Sequence, residues 1–96
     1  MSSYQDHKVI LRKINLPLDQ LSGADLKEAD FREASLDGAN LSGADLANAD
    51  LSNASLRKAN LRDTNLKKAN LSKVDMTGAD LRNATLVGAD CSDANL

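Results

Sequence analysis

One histidine, one cysteine and 14 acidic side chains are the groups in this 96-residue sequence that could do covalent or metal chemistry. A nucleophile needs a base within hydrogen-bond reach, and Cys91 with His7 is the pairing available. The two stand near opposite ends of the chain with one repetitive tract between them, so no dyad is expected. The same separation argues against a His/Cys metal site, and the glycine-rich nonapeptide pattern that binds calcium is missing. All five glycines are spread singly instead of forming a phosphate-cradling loop. Tyr4 and Phe31 are too few for an aromatic platform on which bases stack. The chain reads as non-catalytic, with no cofactor.

The totals narrow the setting. Twelve basic residues against 14 acidic ones leave a net charge of -2, too small for bulk attraction to nucleic acid or an anionic membrane. No apolar run approaches the ~20 residues of a membrane span, and residues 1–7 are too polar for a secretion signal. A cytoplasmic location is the expectation. A single cysteine allows no internal disulfide, so the fold must hold without a covalent staple.

What positions every side chain is a period of five. From Leu21 onward an apolar residue returns at Leu26, Phe31, Leu36, Leu41 and so on through Met76, Leu81, Leu86 and Cys91 to Leu96. Two places before each stands alanine, broken by Thr64 and Val74, and between them lies Asp, Asn, Ser or Thr. On a helix a step of five turns about 140°, which spreads the leucines round the cylinder and buries none of them together. On a straight strand an odd step throws successive leucines to opposite faces. The pattern works if each repeat is a short extended piece with Ala and Leu inward, followed by a corner that turns the next pair inward as well.

Glycine supports the corner independently. Gly23, Gly38, Gly43, Gly78 and Gly88 share one phase, two residues after the inward leucine, and Asn48, Asn53 and Asn83 occupy the same phase. A positive φ selects Gly first and Asn next. Glu28, Glu33, Lys58, Asp63, Lys68, Lys73 and Asp93 hold that phase elsewhere, which leads us to expect a second kind of corner that accepts a side chain.

These Ala-(Asp/Asn)-Leu-X-X units resemble the pentapeptide-repeat family over residues 14–96. The resemblance implies an all-β fold, a right-handed quadrilateral β-helix with four repeats to a coil, here about four coils. Residues 1–13 are expected to form an N-terminal cap, laid partly as a strand over the first coil, because a solenoid needs a polar lid. The chain stops on the inward position Leu96, so the last coil, with Leu81, Leu86, Cys91 and Leu96, is expected to pair with a second copy as a homodimer. Cys91 and Met76 read as core fillers in leucine positions.

Four repeats per coil would bring residues twenty apart together. Asp25 would lie beside Asp45 and Asp30 beside Asp50, either as an anionic stripe imitating DNA phosphates or, the reading we prefer, as polar side chains that bond nearby backbone. Charge is layered too. Residues 55–74 carry Arg57, Lys58, Arg62, Lys67, Lys68 and Lys73 for a net +5, whereas residues 15–34, 35–54 and 75–94 each carry -3. Such a girdle would be balanced in part by its neighbours, Arg57 over Asp37 and Lys73 beneath Asp93, or would form a partner-binding belt.

Three function classes follow. A scaffold or protein–protein interaction module for an unidentified protein leads, and the family it resembles is abundant in cyanobacteria. Some members of that family resemble double-stranded DNA in shape and charge and act on DNA gyrase, but a short rod with a basic middle coil suits that role poorly. Nucleic-acid binding through the girdle is weaker still, because cations on every side cannot all face one duplex.

Overall fold

The computed structural model describes residues 21–96, which make just under four coils. The expected cap over residues 1–13 lies outside the described residues. Eleven parallel β-bridges, from Asp25↔Asp45 to Asp75↔Asn95, all join residues twenty apart, so four repeats make one coil. Each bridge is a single residue long, as a five-residue step demands: the chain is extended only through the Ala-Asx-Leu triplet and then turns. Among the described residues no helix is long and apolar enough to cross a membrane.

The backbone hydrogen bonds of one repeat show why the period is five. In residues 44–48, Ala44 N donates to Leu41 O at 2.9 Å across the preceding corner, and Asp45 N donates back to Ala24 O at 2.9 Å. Leu46 N and Asn48 N donate forward, to Asn65 O at 2.7 Å and Lys67 O at 2.9 Å. The one N–H left over, on Ala47, is taken by the side chain of Asp45, whose Oδ1 accepts it at 3.1 Å. Every N–H of the repeat therefore has an acceptor, four on the backbone and one supplied by the middle residue.

Corners are uniform. Each closes with a hydrogen bond from the N–H of the small residue to the carbonyl of the inward residue three positions back, as Ala24 N to Leu21 O at 3.2 Å. All 15 corners carry a positive φ at the second residue past the inward position, 69–75° for the five glycines and 57–64° for the ten other residues. This is the dihedral signature of a type II turn. The second kind of corner expected at Glu28, Glu33, Lys58, Asp63, Lys68, Lys73 and Asp93 does not exist; these side chains are held in the left-handed region like Gly and Asn. Stacking explains it from Glu28 to Lys73, where each corner N–H is committed to the coil beyond, as Lys58 N to Thr77 O at 2.9 Å, and the ladder overrides the local preference; at Asp93, in the last coil, the turn bond from Ala94 N to Cys91 O at 3.0 Å closes the same corner.

The inward columns fill the interior completely. Leu36, Leu41, Leu46, Leu51, Leu56, Leu61, Leu66 and Leu71 are fully buried, as is Phe31 in the first described coil. Each such leucine contributes about 1.5–3 kcal/mol. Alanine opposite keeps the walls close, and the two exceptions sit without penalty: Val74 is buried, and buried Thr64 donates its hydroxyl to Leu61 O at 2.7 Å. Met76 is a core filler as expected, and Cys91, partly buried, packs against the same cluster. Coverage ends with the last coil, where Leu86 is 37% and Leu96 67% exposed.

The uniform corner makes a prediction at Gly38, where an added Cβ meets nothing within 4 Å and φ is +72°. Gly38→Ala should lower unfolding free energy by about 1 kcal/mol through backbone strain alone, and Gly38→Asn by less. Urea unfolding of the two variants checks the order.

Candidate interaction surface

Every outward group stands either at a middle position, on a wall, or at one of the two corner residues. Middle residues are engaged locally. In 11 repeats an Asp or Asn Oδ1 accepts the N–H two residues on, from Lys27 N to Asp25 at 3.3 Å through Ser92 N to Asp90 at 3.0 Å. Asp25 does lie beside Asp45 and Asp30 beside Asp50. Cations bridge both pairs' coils: Arg32 reaches Asp30 at 2.7 Å and Asp50 at 4.0 Å, and Lys27 reaches Asp45 at 3.8 Å. The stripe is thus a set of backbone acceptors with its charge partly neutralised, as preferred from the sequence.

Neighbouring donors hold several carboxyls below their ordinary range. The Ser92 hydroxyl does so for Asp90 and the Thr77 hydroxyl for Asp75, each with help from the backbone N–H of the same residue. Arg82, through its guanidinium and its N–H, brings Asp80 down to about 2.

The six girdle cations are all exposed and lie at one level, distributed over the four corners. Arg57 is committed. Its guanidinium Nη2 donates to Asp37 Oδ2 at 2.9 Å. Lys73 and Asp93, expected to pair, do not reach ion-pair distance. Among the described residues, Lys58, Arg62, Lys67, Lys68 and Lys73 have no carboxylate within 4.0 Å. Internal balancing therefore accounts for one cation of the six.

Asp37 does more than the sequence indicated. Serine replaces Asp/Asn at position 55, which leaves the Arg57 N–H without its usual acceptor from the same repeat. Asp37, one coil earlier, reaches over: its Oδ1 accepts that N–H at 3.0 Å and the Ser55 hydroxyl at 2.5 Å. The Ser55 hydroxyl, followed by Arg57, holds the Asp37 carboxyl below the ordinary carboxylate range. The signal was present, a serine at a middle position twenty residues after Ser35 and eighteen after an acidic corner residue, but its meaning depends on the coil register. Asp37, Gly38, Arg57 and Lys58 line a shallow open groove along this corner. Among the described residues no three His, Cys, Asp or Glu come together as metal ligands would.

Residues 20–53, 44–83 and 75–96 match the family model described as pentapeptide repeats (8 copies). The chain belongs to the pentapeptide-repeat family. This pentapeptide-repeat chain is similar to alr5209, a pentapeptide repeat protein from Nostoc Pcc 7120, at 36% identity and a TM-score of 0.85, covering 92% of this chain and 73% of that one. It is also similar in fold to QnrB1, a plasmid-mediated fluoroquinolone resistance protein, at 21% identity and a TM-score of 0.67, covering 91% of this chain and 47% of that one. No curated protein matches the sequence significantly. The pentapeptide-repeat fold is a right-handed β-helix, as the family resemblance implied.

The Asp37 cluster yields a paired prediction. Asp37→Ala should cost about 1 kcal/mol, the low end for a charged acceptor because the carboxylate is partly solvated, and Ser55→Asn in the same chain should restore it by supplying the usual acceptor. The sign with pH follows from the lowered value in the folded chain. The Asp37 contribution is fully present above the ordinary carboxylate value of about 4 and is lost as pH falls through its folded value. Urea midpoints between pH 7 and pH 3 should therefore converge for wild type and Asp37→Ala at the acid end.

Proposed function

We propose that the chain is a non-catalytic scaffold that binds another protein through its outer surface. The observation that carries this reading is a hydrogen-bonded frame holding free charge: among the described residues Lys58, Arg62, Lys67, Lys68 and Lys73 are exposed with no carboxylate within 4.0 Å, on corners whose second N–H is committed to the next coil. Such groups need no desolvated partner for stability and gain from an opposing charge on association. Side-chain chemistry supports binding over catalysis, since the hydroxyls of Ser42, Ser72, Thr77 and Ser92 lie against the Asx acceptor of their own repeat.

A second copy of the chain at the last coil is part of the proposal. Leu86, Val87 and Leu96 expose 37%, 70% and 67% of their surface there, and the N–H groups of Leu81, Leu86 and Cys91 find no backbone acceptor among the described residues. An open sheet edge with apolar side chains favours pairing. Light scattering should give twice the monomer mass at high concentration, and a strict monomer would contradict this part.

For the scaffold itself, the test is affinity capture with wild type and with Arg57, Lys58, Lys67 and Lys68 all changed to alanine. Wild type should retain a protein partner that the variant loses. A DNA gyrase supercoiling assay should show neither inhibition nor protection; an effect there would move the reading to the DNA-mimic class.

A further inference from the structure

Counting charge by coil conceals its distribution by wall. The bridge register stacks residues 38–42, 58–62 and 78–82 on one wall, bearing Lys58, Arg62, Arg82 and one carboxylate, Asp80, for a net +2 among the described residues. The wall of residues 23–27, 43–47, 63–67 and 83–87 sums to -1. The two remaining walls, beginning at residues 28–32 and 33–37, sum to -2 each. The rod is basic on one side and acidic on three.

The details sharpen the asymmetry. Asp80 is occupied by Arg82, whose Nε and Nη2 donate to it at 3.0 and 2.7 Å, so among the described residues the wall shows no carboxylate free to compete with an incoming one. Its remaining outward groups are neutral and small: Asn40, Asn60, Ser42, Gly38 and Gly78. Lys58 stands between the two glycines along its column, and its stem lies over Gly78, with Cγ 3.3 Å from where a Cβ would be. Beside it at the same corner stand Arg57 and Asp37, which are paired with each other at 2.9 Å. Arg62 stands at the opposite edge of the same wall, about 13 Å away along an extended chain, and the open groove at Gly38 and Lys58 adjoins the wall.

We propose that this wall is the docking face and that its partner is an acidic protein segment, whose carboxylates meet Lys58 and Arg62. The proposal rests on the scaffold reading and names its partner class. Charge complementarity fixes which side docks, because each of the other walls repels an acidic segment while this one attracts it. A nucleic acid is disfavoured by the same geometry. Affinity for a duplex grows with the number of phosphates neutralised, and two free cations on a single wall flanked by acidic ones neutralise few.

The test uses the whole chain with poly-L-glutamate as probe and duplex DNA of matched charge as the second arm, read by amide chemical shifts and titration at fixed salt. Poly-L-glutamate should shift residues 58–62 and 78–82 and bind more tightly than the duplex. Lys58→Glu with Arg62→Glu should weaken it about tenfold, whereas Lys68→Glu with Lys73→Glu, the same change in net charge on other walls, should alter it by less than about twofold. Glutamate is accommodated at the left-handed corner position of Lys58, Lys68 and Lys73, as Glu28 and Glu33 show, and an acidic residue, Asp37, stands at the first corner phase that Arg62 shares; retained folding is checked by the urea midpoint. Equal loss in both variants, shifts spread round all four corners, no binding, or tighter binding of the duplex would overturn the assignment. If captured proteins bind wild type and the Lys58/Arg62 variant equally, the scaffold reading stands and the wall falls. If the glutamate polymer binds on this wall and no protein is ever captured, the wall stands and the scaffold reading falls.

Discussion

The structure depends on one short interaction, the middle-position Asp or Asn oxygen that accepts the backbone N–H two residues on. Four of the five N–H groups in a repeat are satisfied by the turn and by the coils on either side, and the fifth points outward at the corner with no backbone carbonyl in reach. In the repeat of residues 44–48 that fifth group is the Ala47 N–H, held by Asp45. A side-chain oxygen on a short stem is what the geometry requires, and charge is incidental to it, which is why Asn60, Asn65 and Asn70 serve as well as Asp. Where serine stands instead, at position 55, the fold recruits Asp37 from the coil before. That substitution shows that a residue from another coil can meet the N–H when the repeat's own middle side chain does not.

From this constraint the interior and the exterior separate cleanly. Leucine and alanine are left to fill the inside, and the corner residues are left to the outside with their backbone already fixed. Corner side chains can therefore vary with little effect on the coil, which is how Lys58, Lys68 and Lys73 came to occupy left-handed positions that glycine would hold more comfortably. The partner-binding reading uses that freedom. Cations carried on a fixed backbone lose side-chain but little backbone entropy when they meet an opposing charge, and their spacing is set by the ladder and the corner.

The inward columns and the glycine phase were legible because both are local consequences of a five-residue period, visible at Leu46, Leu51 and Leu56 without any knowledge of the coil. Features that join residues twenty apart were legible only once four repeats to a coil was supplied by the family resemblance. Asp25 beside Asp45 and Arg57 over Asp37 were reached that way. The corner at Lys58 was misjudged because local preference disfavours a lysine at positive φ, whereas the inter-coil bond from its N–H decides the matter. Along the chain, residues 55–74 carry their cations on all four corners and read as a girdle. Summed down the columns, Lys58, Arg62 and Arg82 fall on one wall, a distinction that a one-dimensional count cannot make.

The most direct test of the central claim is amide hydrogen exchange at Ser72, whose N–H is held by Asn70 Oδ1 at 3.0 Å with no charged group in the pair. In Asn70→Ala the Ser72 amide should exchange at least about tenfold faster while Leu71, bonded to the next coil, stays protected, and in Asn70→Asp the Ser72 amide should keep its wild-type rate. Undiminished protection of Ser72 in Asn70→Ala would contradict the account, because the coil would then close this corner without the side-chain acceptor that 11 repeats share.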